Sequence, residues 1–251
     1  MRVKLTIEYD GAGFRGWAAQ PGERTIETEL QRALDRLYAP GSSGLTVAGR
    51  TDAGVHALAN VLSVDVDGGP PPGRAAGALN AFLPPDLAVV SVEEAPTDFQ
   101  ARFDARSRSY RYRVWRRRER SALEATRALW HPGSLDLESL QAAAAPLVGK
   151  HDFRAFTPTD TQHSTFVRTI FDARWVEVDE NIVAFEVTAD SFLRHMVRSL
   201  VGTMLRHQDI VPLLEGAPRT EAGRTAPSHG LYLTAVAYED VARRQTKVSK
   251  P

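Results

Sequence analysis

Arg50, Thr51, Asp52 and His56 stand in the stretch TVAGRTDAGVHALAN, residues 46–60, among glycines and alanines that give them little bulk to hide behind. A nearby guanidinium keeps a carboxylate ionised, and an ionised carboxylate can act as a nucleophile. Gly49 and Gly54 bracket Arg50 and Asp52, and glycine admits turns that other residues resist. The same letters also suit a strand end closed by an Asx-turn. Taken alone, the stretch leaves both readings open.

Other chemistries find less support. His56, His151, His163, His195 and His207 fall on different elements and form neither H-x-x-x-H nor H-E-x-x-H, so a metal centre is not expected. No G-x-x-x-x-G-K-[ST] occurs, and the glycines of DGAGFRG lack the long apolar helix that a dinucleotide fingerprint requires. The GSSG of residues 41–44 lacks the spacing of a serine-hydrolase elbow. Cysteine is absent, which removes disulfides and thiol nucleophiles and fits a cytoplasmic protein.

Formal charge sums to zero, yet residues 102–121, RFDARSRSYRYRVWRRRERS, hold nine arginines against two acids. Phe103, Tyr110, Tyr112 and Trp115 are interleaved with them. Solvated faces usually mix Lys and Glu, whereas arginine with aromatics suits phosphates and bases. The strip is expected to be a local anion-binding surface.

These residues need elements to hold them. VKLTIEY alternates Val3, Leu5, Ile7 and Tyr9 on one face, as a half-buried strand does. TIETELQRALDRLY spaces Ile26, Leu30, Ala33, Leu34 and Leu37 as a helix, with Thr25 as cap. VLSVDV and DLAVVSVEEA read as strands, DGGPPPGR as a solvent loop, and AAGALNAFLPP as a short helix stopped by prolines. In YRYRVW, Tyr110, Tyr112 and Val114 share one face and Arg111, Arg113 and Trp115 the other. DLESLQAAAAPLVG is a helix capped by Asp136, and FDARWVEVDENIVAFEVTA a hairpin turning near Asp179. SFLRHMVRSLVGTML reads as a helix whose core stripe runs through Leu193, Met196, Val197, Leu200 and Met204. It would put Arg194 and Arg198 one turn apart on a shared face. GLYLTAVAY is a closing strand, and the tail DVARRQTKVSKP reads as loose.

The order of elements has no obligatory parallel β-α-β rhythm. It predicts an α+β fold of two similar domains, residues 1–105 and 106–251, each a mostly antiparallel sheet with helices on one face. At 251 residues, 43% hydrophobic and 25% charged, the chain can bury a substantial core. The opening MRVKLTIEYDG is expected to be neither signal peptide nor membrane span, and no apolar run approaches the ~18 residues of a spanning helix.

Several segments, taken together and in order, resemble one family. EYDGAGFRGW, AGRTDAGVHA, LNAFLPPDL, FQARFDARSRSYRYRV, GKHDFRAF, VRTIFDA, SFLRHMVRSLVG and GLYLTAV follow one another as in the tRNA pseudouridine synthase A family, from about Leu5 to about Tyr238. The resemblance implies an isomerase that detaches uracil from its ribose at N1, turns the base and rejoins it through C5, without metal or organic cofactor. It implies tRNA as partner, bound at the anticodon stem-loop and modified at positions 38, 39 and 40. It also implies a homodimer, no membrane, and an active-site cleft between the two domains.

By the same resemblance Asp52 is the nucleophile, attacking ribose C1′ or base C6 or assisting a glycal route. The target base must leave its stack to reach the carboxylate. Arg50 enters the space it vacates, Tyr110 stacks on the uracil, Arg198 pairs with the aspartate and holds it ionised, and Leu231 packs beneath the base. Arg111, Arg113 and Arg116, with Arg117 and Arg118, become candidates for phosphate contacts, which position RNA without reading its sequence. His56 braces the loop. One departure stands out: the family continues its G-W with Gln, whereas Trp17 is followed by Ala18. Two rivals remain, an RNA-binding module without the chemistry and a glycosidic hydrolase. The first predicts a changed Asp52, Tyr110 or Arg198, and the second wants a further carboxylate as acid.

Overall fold

The computed structural model describes residues 1–38, 42–161, 163–206 and 209–238. The tail from residue 240 and His207 lie outside the described residues. The chain forms two compact units. One comprises Met1–Arg106 with the chain from Leu233 onward, and the other Ser107–Tyr232. Both are α+β with mostly antiparallel strands, as the periodicities predict.

In the first unit, β1 (Arg2–Tyr9) buries Val3, Leu5, Ile7 and Tyr9 on one face. Helix α1 (Ile26–Leu37) begins where the Thr25 hydroxyl accepts the Thr28 amide at 3.3 Å, and Glu27 and Glu29 sit in its first turn. It buries Ile26, Leu30, Ala33 and Leu34, and full burial of each larger side chain stabilises by about 1.5–3 kcal/mol. Strand β2 (Ser43–Val47) pairs antiparallel with β3 (His56–Asp65), setting Val47 opposite Leu62. Helix α2 (Pro72–Asn80) starts earlier than the sequence suggests, within PPPGR. Proline at the first helical position carries a suitable φ and gives up an amide that would go unused there. Strand β4 (Leu87–Glu94) completes the order β4-β1-β3, both pairings antiparallel.

In the second unit, β5 (Ser107–Trp115) takes a short parallel neighbour, β6 (Leu129–Trp130). Helix α3 (Leu137–Ala144) is capped by Asp136, which accepts from the amides of Glu138 and Ser139, and Pro146 turns its end into a 3-10 turn. Strands β7 (Gly149–Asp152), β8 (Val167–Glu177) and β9 (Ile182–Ala189) give the antiparallel order β5-β9-β8-β7. The Asp179 carboxylate accepts from the Asn181 and Ile182 amides and sets the β8–β9 turn.

Helix α4 (Met196–Met204) is shorter than the sequence suggests. His195, at φ 62, is the one non-glycine residue with positive φ among those described, and a left-handed residue cannot continue a right-handed helix inward from Ser191. Arg194 therefore shares no helix face with Arg198; its guanidinium lies 3.4 Å from Asp160. The expected stripe is buried all the same, from Leu193 to Met204.

The closing strand β10 (Leu231–Ala237) returns the chain to the first unit from Leu233 onward, beside β3. There Val236 and Tyr238 pack on Ala48, Val61 and Ala101, with the Tyr238 ring 5.0 Å from Phe99 and its hydroxyl donating to the Ala101 carbonyl at 2.9 Å.

Candidate active site

The loop that carries Asp52 is gripped by a second loop. Downstream of β1, the DGAGFRGW segment lies against it main chain to main chain. A Cβ on Gly11 would stand 2.0 Å from the Val55 carbonyl oxygen, and one on Gly16 2.9 Å from that of Thr51. Gly16 also holds φ 91, so glycine is required there on two counts. The Trp17 amide donates to the Thr51 carbonyl at 3.0 Å, and the Gly54 amide to that of Phe14 at 3.3 Å. The Val55 amide donates to the Asp52 carbonyl at 3.2 Å, closing the turn in which Gly54 adopts φ 78. The main chain around Asp52 is thus held from both sides, and its side chain stays half-buried.

His56 is 2% exposed, and its Nδ1 accepts the Gly11 amide at 3.0 Å. Asp10 also stands 3.1 Å from Nδ1. One nitrogen cannot accept from Gly11 and donate to Asp10 at once. The buried main-chain donor decides it, because Asp10 already accepts from Ala12 and is partly solvated. His56 braces the two loops.

Below the loop lies a buried polar set in the β1–β3 layer. Asn60, 0% exposed, donates through Nδ2 to the Gly49 carbonyl at 2.8 Å and to the Tyr9 hydroxyl at 3.2 Å. The Tyr9 hydroxyl meets Thr51 Oγ1 at 2.8 Å, and Asn60 Oδ1 accepts the Val61 amide at 2.9 Å. Burial pushes the Tyr9 phenol up to about 12, outweighing the hydrogen bonds to Thr51 and Asn60, so it stays protonated. Arg50, between Gly49 and Thr51, is exposed and has no ion pair among the described residues.

A bidentate pair buttresses the gripping loop. Arg24 donates to both Asp86 oxygens at 2.7 and 2.8 Å and lies over the Phe14 ring at 4.1 Å. Hydrogen bonding from Arg24 holds the Asp86 carboxyl below its ordinary 3.8, against the smaller opposing effect of burial. A depressed carboxyl stabilises the fold above its unfolded value and loses that contribution as pH falls through the folded one. Asp86→Asn is expected to lower Tm by about 2–4 °C at neutral pH, for a half-exposed pair contributing about 1 kcal/mol. The gap between variant and parent closes below pH 3.8, which paired thermal melts across an acid series check.

The second unit carries Tyr110, Arg198 and Leu231. Tyr110 lies on β5 opposite Val187, its ring edge-on to Phe192 at 5.0 Å. Two residues on, Tyr112 is fully buried and donates to the Pro227 carbonyl at 2.8 Å. A Cβ on Gly230 would meet the Tyr112 ring at 2.8 Å, so the chain entering Leu231 runs tight against that ring. Leu231 is 6% exposed. Arg198 projects from α4 and donates through Nε to the Ala226 carbonyl at 2.8 Å, while the Ala226 amide returns a bond to the Arg198 carbonyl at 3.0 Å. Gly202 and Gly223 allow this approach, since a Cβ on Gly202 would stand 1.8 Å from the Arg224 carbonyl oxygen. Burial raises the Tyr112 phenol, and the Arg198 charge pulls weakly the other way, so the two are electrostatic neighbours.

The arginine strip divides in two. Arg111 meets Glu186 at 2.6 Å, Arg113 meets Glu124 at 2.9 Å, and Arg116 meets Glu177 at 2.6 Å. Burial alone would raise the Glu186 carboxyl, but hydrogen bonds from Arg111 and Arg174 outweigh it and hold it down. Arg117 lies over the Trp115 ring at 4.9 Å. Arg118 and Arg120 are exposed and have no acidic partner among the described residues.

The structure thus sets Arg50 and Asp52 on one loop, Arg198 and Tyr112 around one carbonyl-rich turn, and Tyr110 against Phe192. Sequence reasoning missed Asn60, Tyr9 and Thr51 as a connected set, and Phe192 as the partner of Tyr110. An asparagine inside the apolar strand ALANVLSV was the available signal, since buried polar groups need partners. Among the described residues, histidines and acids form no group of three or more that could hold a metal ion. No helix there is long and apolar enough to cross a membrane.

A clamped carboxylate turn in one α+β unit and an arginine-rich strand in the other are the equipment of an enzyme acting on an anionic polymer. A family model described as tRNA pseudouridine synthase matches residues 5–104 and 143–239. Tyr110 and the arginine strip from Ala105 onward fall between those stretches. Proteins named tRNA pseudouridine synthase A are 40% identical to the chain in Geobacillus kaustophilus, over 95% of this chain and 95% of that protein, and in Chromobacterium violaceum, over 96% and 94%. The one from Acetivibrio thermocellus is also 40% identical, over 94% of this chain and 99% of its own length. A chain in a crystal structure of a Cbf5–Nop10–Gar1 complex superposes with a TM-score of 0.39 at 11% identity, covering 92% of this chain and 57% of that one, too loosely to carry an argument. The chain belongs to the tRNA pseudouridine synthase family. Its members isomerise uridine to pseudouridine.

Proposed function

We propose that the protein isomerises uridine to pseudouridine at positions 38, 39 and 40 of the tRNA anticodon stem-loop, with Asp52 as nucleophile and the target base flipped out. The N1–C1′ bond breaks, a C5–C1′ bond forms, N1 gains a proton and C5 loses one, so no redox partner is called for. Residues 1–105 supply Asp52 and Arg50, and Arg50 fills the gap left by the flipped base. Residues 106–251 supply Tyr110 to stack on uracil, Arg198 to keep the carboxylate ionised, and Leu231 to pack beneath the base. The enzyme works in the cytoplasm as a homodimer.

The observation that carries the reading is the Asp52 turn itself. A half-buried carboxylate sits on main chain clamped by two hydrogen-bonded contacts to a glycine loop, next to an arginine with no acidic partner among the described residues. The test is tritium release from tRNA labelled at uracil C5, by the protein and by Asp52→Ala, with the product mapped by position. Release by the parent alone, from positions 38 to 40, is expected. Tight tRNA binding with release by neither would overturn the reading in favour of a binding module.

Phosphate contacts fall to exposed arginines with no acidic partner among the described residues. Arg118→Ala with Arg120→Ala is expected to weaken tRNA binding and flatten its salt dependence by about one unit of slope per residue, with Tm unchanged. Arg113→Ala, by freeing Glu124, is expected to lower Tm instead. Filter binding across a salt series and thermal melts separate the two.

A further inference from the structure

We infer that Asn60, Tyr9 and Thr51 form a directional hydrogen-bond relay that positions the Asp52 carboxylate for reaction, with Asn60 as its anchor. The inference rests on the assignment of Asp52 as nucleophile.

The direction follows from donor and acceptor counts. Asn60 commits both amide hydrogens, one to the Gly49 carbonyl and one to the Tyr9 hydroxyl, and its oxygen to the Val61 amide. Flipping the amide would set oxygen against the Gly49 carbonyl, so the orientation is fixed. Tyr9, accepting from Asn60, has its single proton left for Thr51 Oγ1. Its raised phenol keeps that proton in place across the working range. Thr51 is then tied at its side chain to Tyr9 and at its carbonyl to the Trp17 amide. Gly49, on the other side of Arg50, is tied to Asn60.

All three side chains are at most 7% exposed. A core needing only bulk would put apolar residues here, since a buried polar group left unpaired is costly. The chain instead spends three polar side chains on fixing the two main-chain positions that flank Arg50, the nearer of them adjoining Asp52. A displacement of about 1 Å at a reacting group can cost about a hundredfold in rate.

Tyr9→Phe keeps the ring and removes the relay hydroxyl; Thr51→Val removes the terminal acceptor without changing volume; Thr51→Ser restores it. For Tyr9→Phe and Thr51→Val, kcat for tritium release is expected to fall about 10- to 100-fold, with tRNA affinity within twofold of the parent. Thr51→Ser is expected to recover at least half of kcat, and the Tyr9→Phe/Thr51→Val pair to lose no more than the worse single variant. Additive losses, equal losses in Thr51→Ser and Thr51→Val, or unchanged kcat in Thr51→Val would overturn the relay. Should Tyr9→Phe fail to fold, the Thr51 pair alone decides. Asp52→Ala runs alongside. If it stays active, the nucleophile assignment fails; if it is inactive while Thr51→Val is fully active, only the relay fails.

Discussion

Asp52→Asn is expected to reduce tritium release about a thousandfold or more, with little change in tRNA affinity. The amide matches the carboxylate in shape and keeps an acceptor oxygen, so the turn closed by the Val55 amide on the Asp52 carbonyl is untouched. What disappears is the negative charge and, with it, the oxygen pair proposed as nucleophile. A carboxylate serving as an Asx-type cap would tolerate the exchange, because asparagine serves in such turns equally well. Single-turnover kinetics with labelled tRNA separates these roles, and retained activity in Asp52→Asn would reduce the residue to a structural one.

Gly11→Ala is expected to destabilise the first unit by about 3 kcal/mol, a fall in Tm of roughly 6 °C or more, and to remove activity at temperatures where the protein is still folded. The added methyl would stand 2.0 Å from the Val55 carbonyl oxygen and 2.5 Å from its carbon. Both are main-chain atoms, so no side-chain rotation relieves the overlap. The two loops must part, and the bond from the Gly11 amide to His56 goes with them. Gly73→Ala is the matched control, since a Cβ there meets nothing within 4 Å. Calorimetry and tritium release on the pair check the expectation; equal Tm values would mean that the loops yield more readily than their contacts imply.

Alternation and helical spacing made β1, α1, β4, β9 and β10 legible, because their burial follows a period that local sequence carries. The start of α4 was not legible. Ser191 to His195 has acceptable helical spacing, and only tertiary structure fixes His195 at φ 62. Of the candidate site, the Asp52 turn showed itself through its glycines. The Asn60–Tyr9–Thr51 set did not, because its members come from separate segments and meet only in the folded layer. The arginine strip misleads for the same reason. Arg111, Arg113 and Arg116 look unneutralised within residues 102–121, but Glu186 arrives from β9, Glu177 from β8, and Glu124 from the loop before β6.

The path of the chain has a consequence for biosynthesis. Residues 1–106 are synthesised well before the strand that flanks β3, in which Val236 and Tyr238 cover Ala48, Val61 and Ala101. Until then the part of β3 that β2 leaves uncovered presents an open edge, the kind of surface that recruits other strands. The nascent amino-terminal half therefore cannot mature ahead of the rest, as an uninterrupted domain would. A fragment ending at Arg106 inherits the same exposed edge, whereas joining Leu233–Tyr238 to it by a short linker closes the gap.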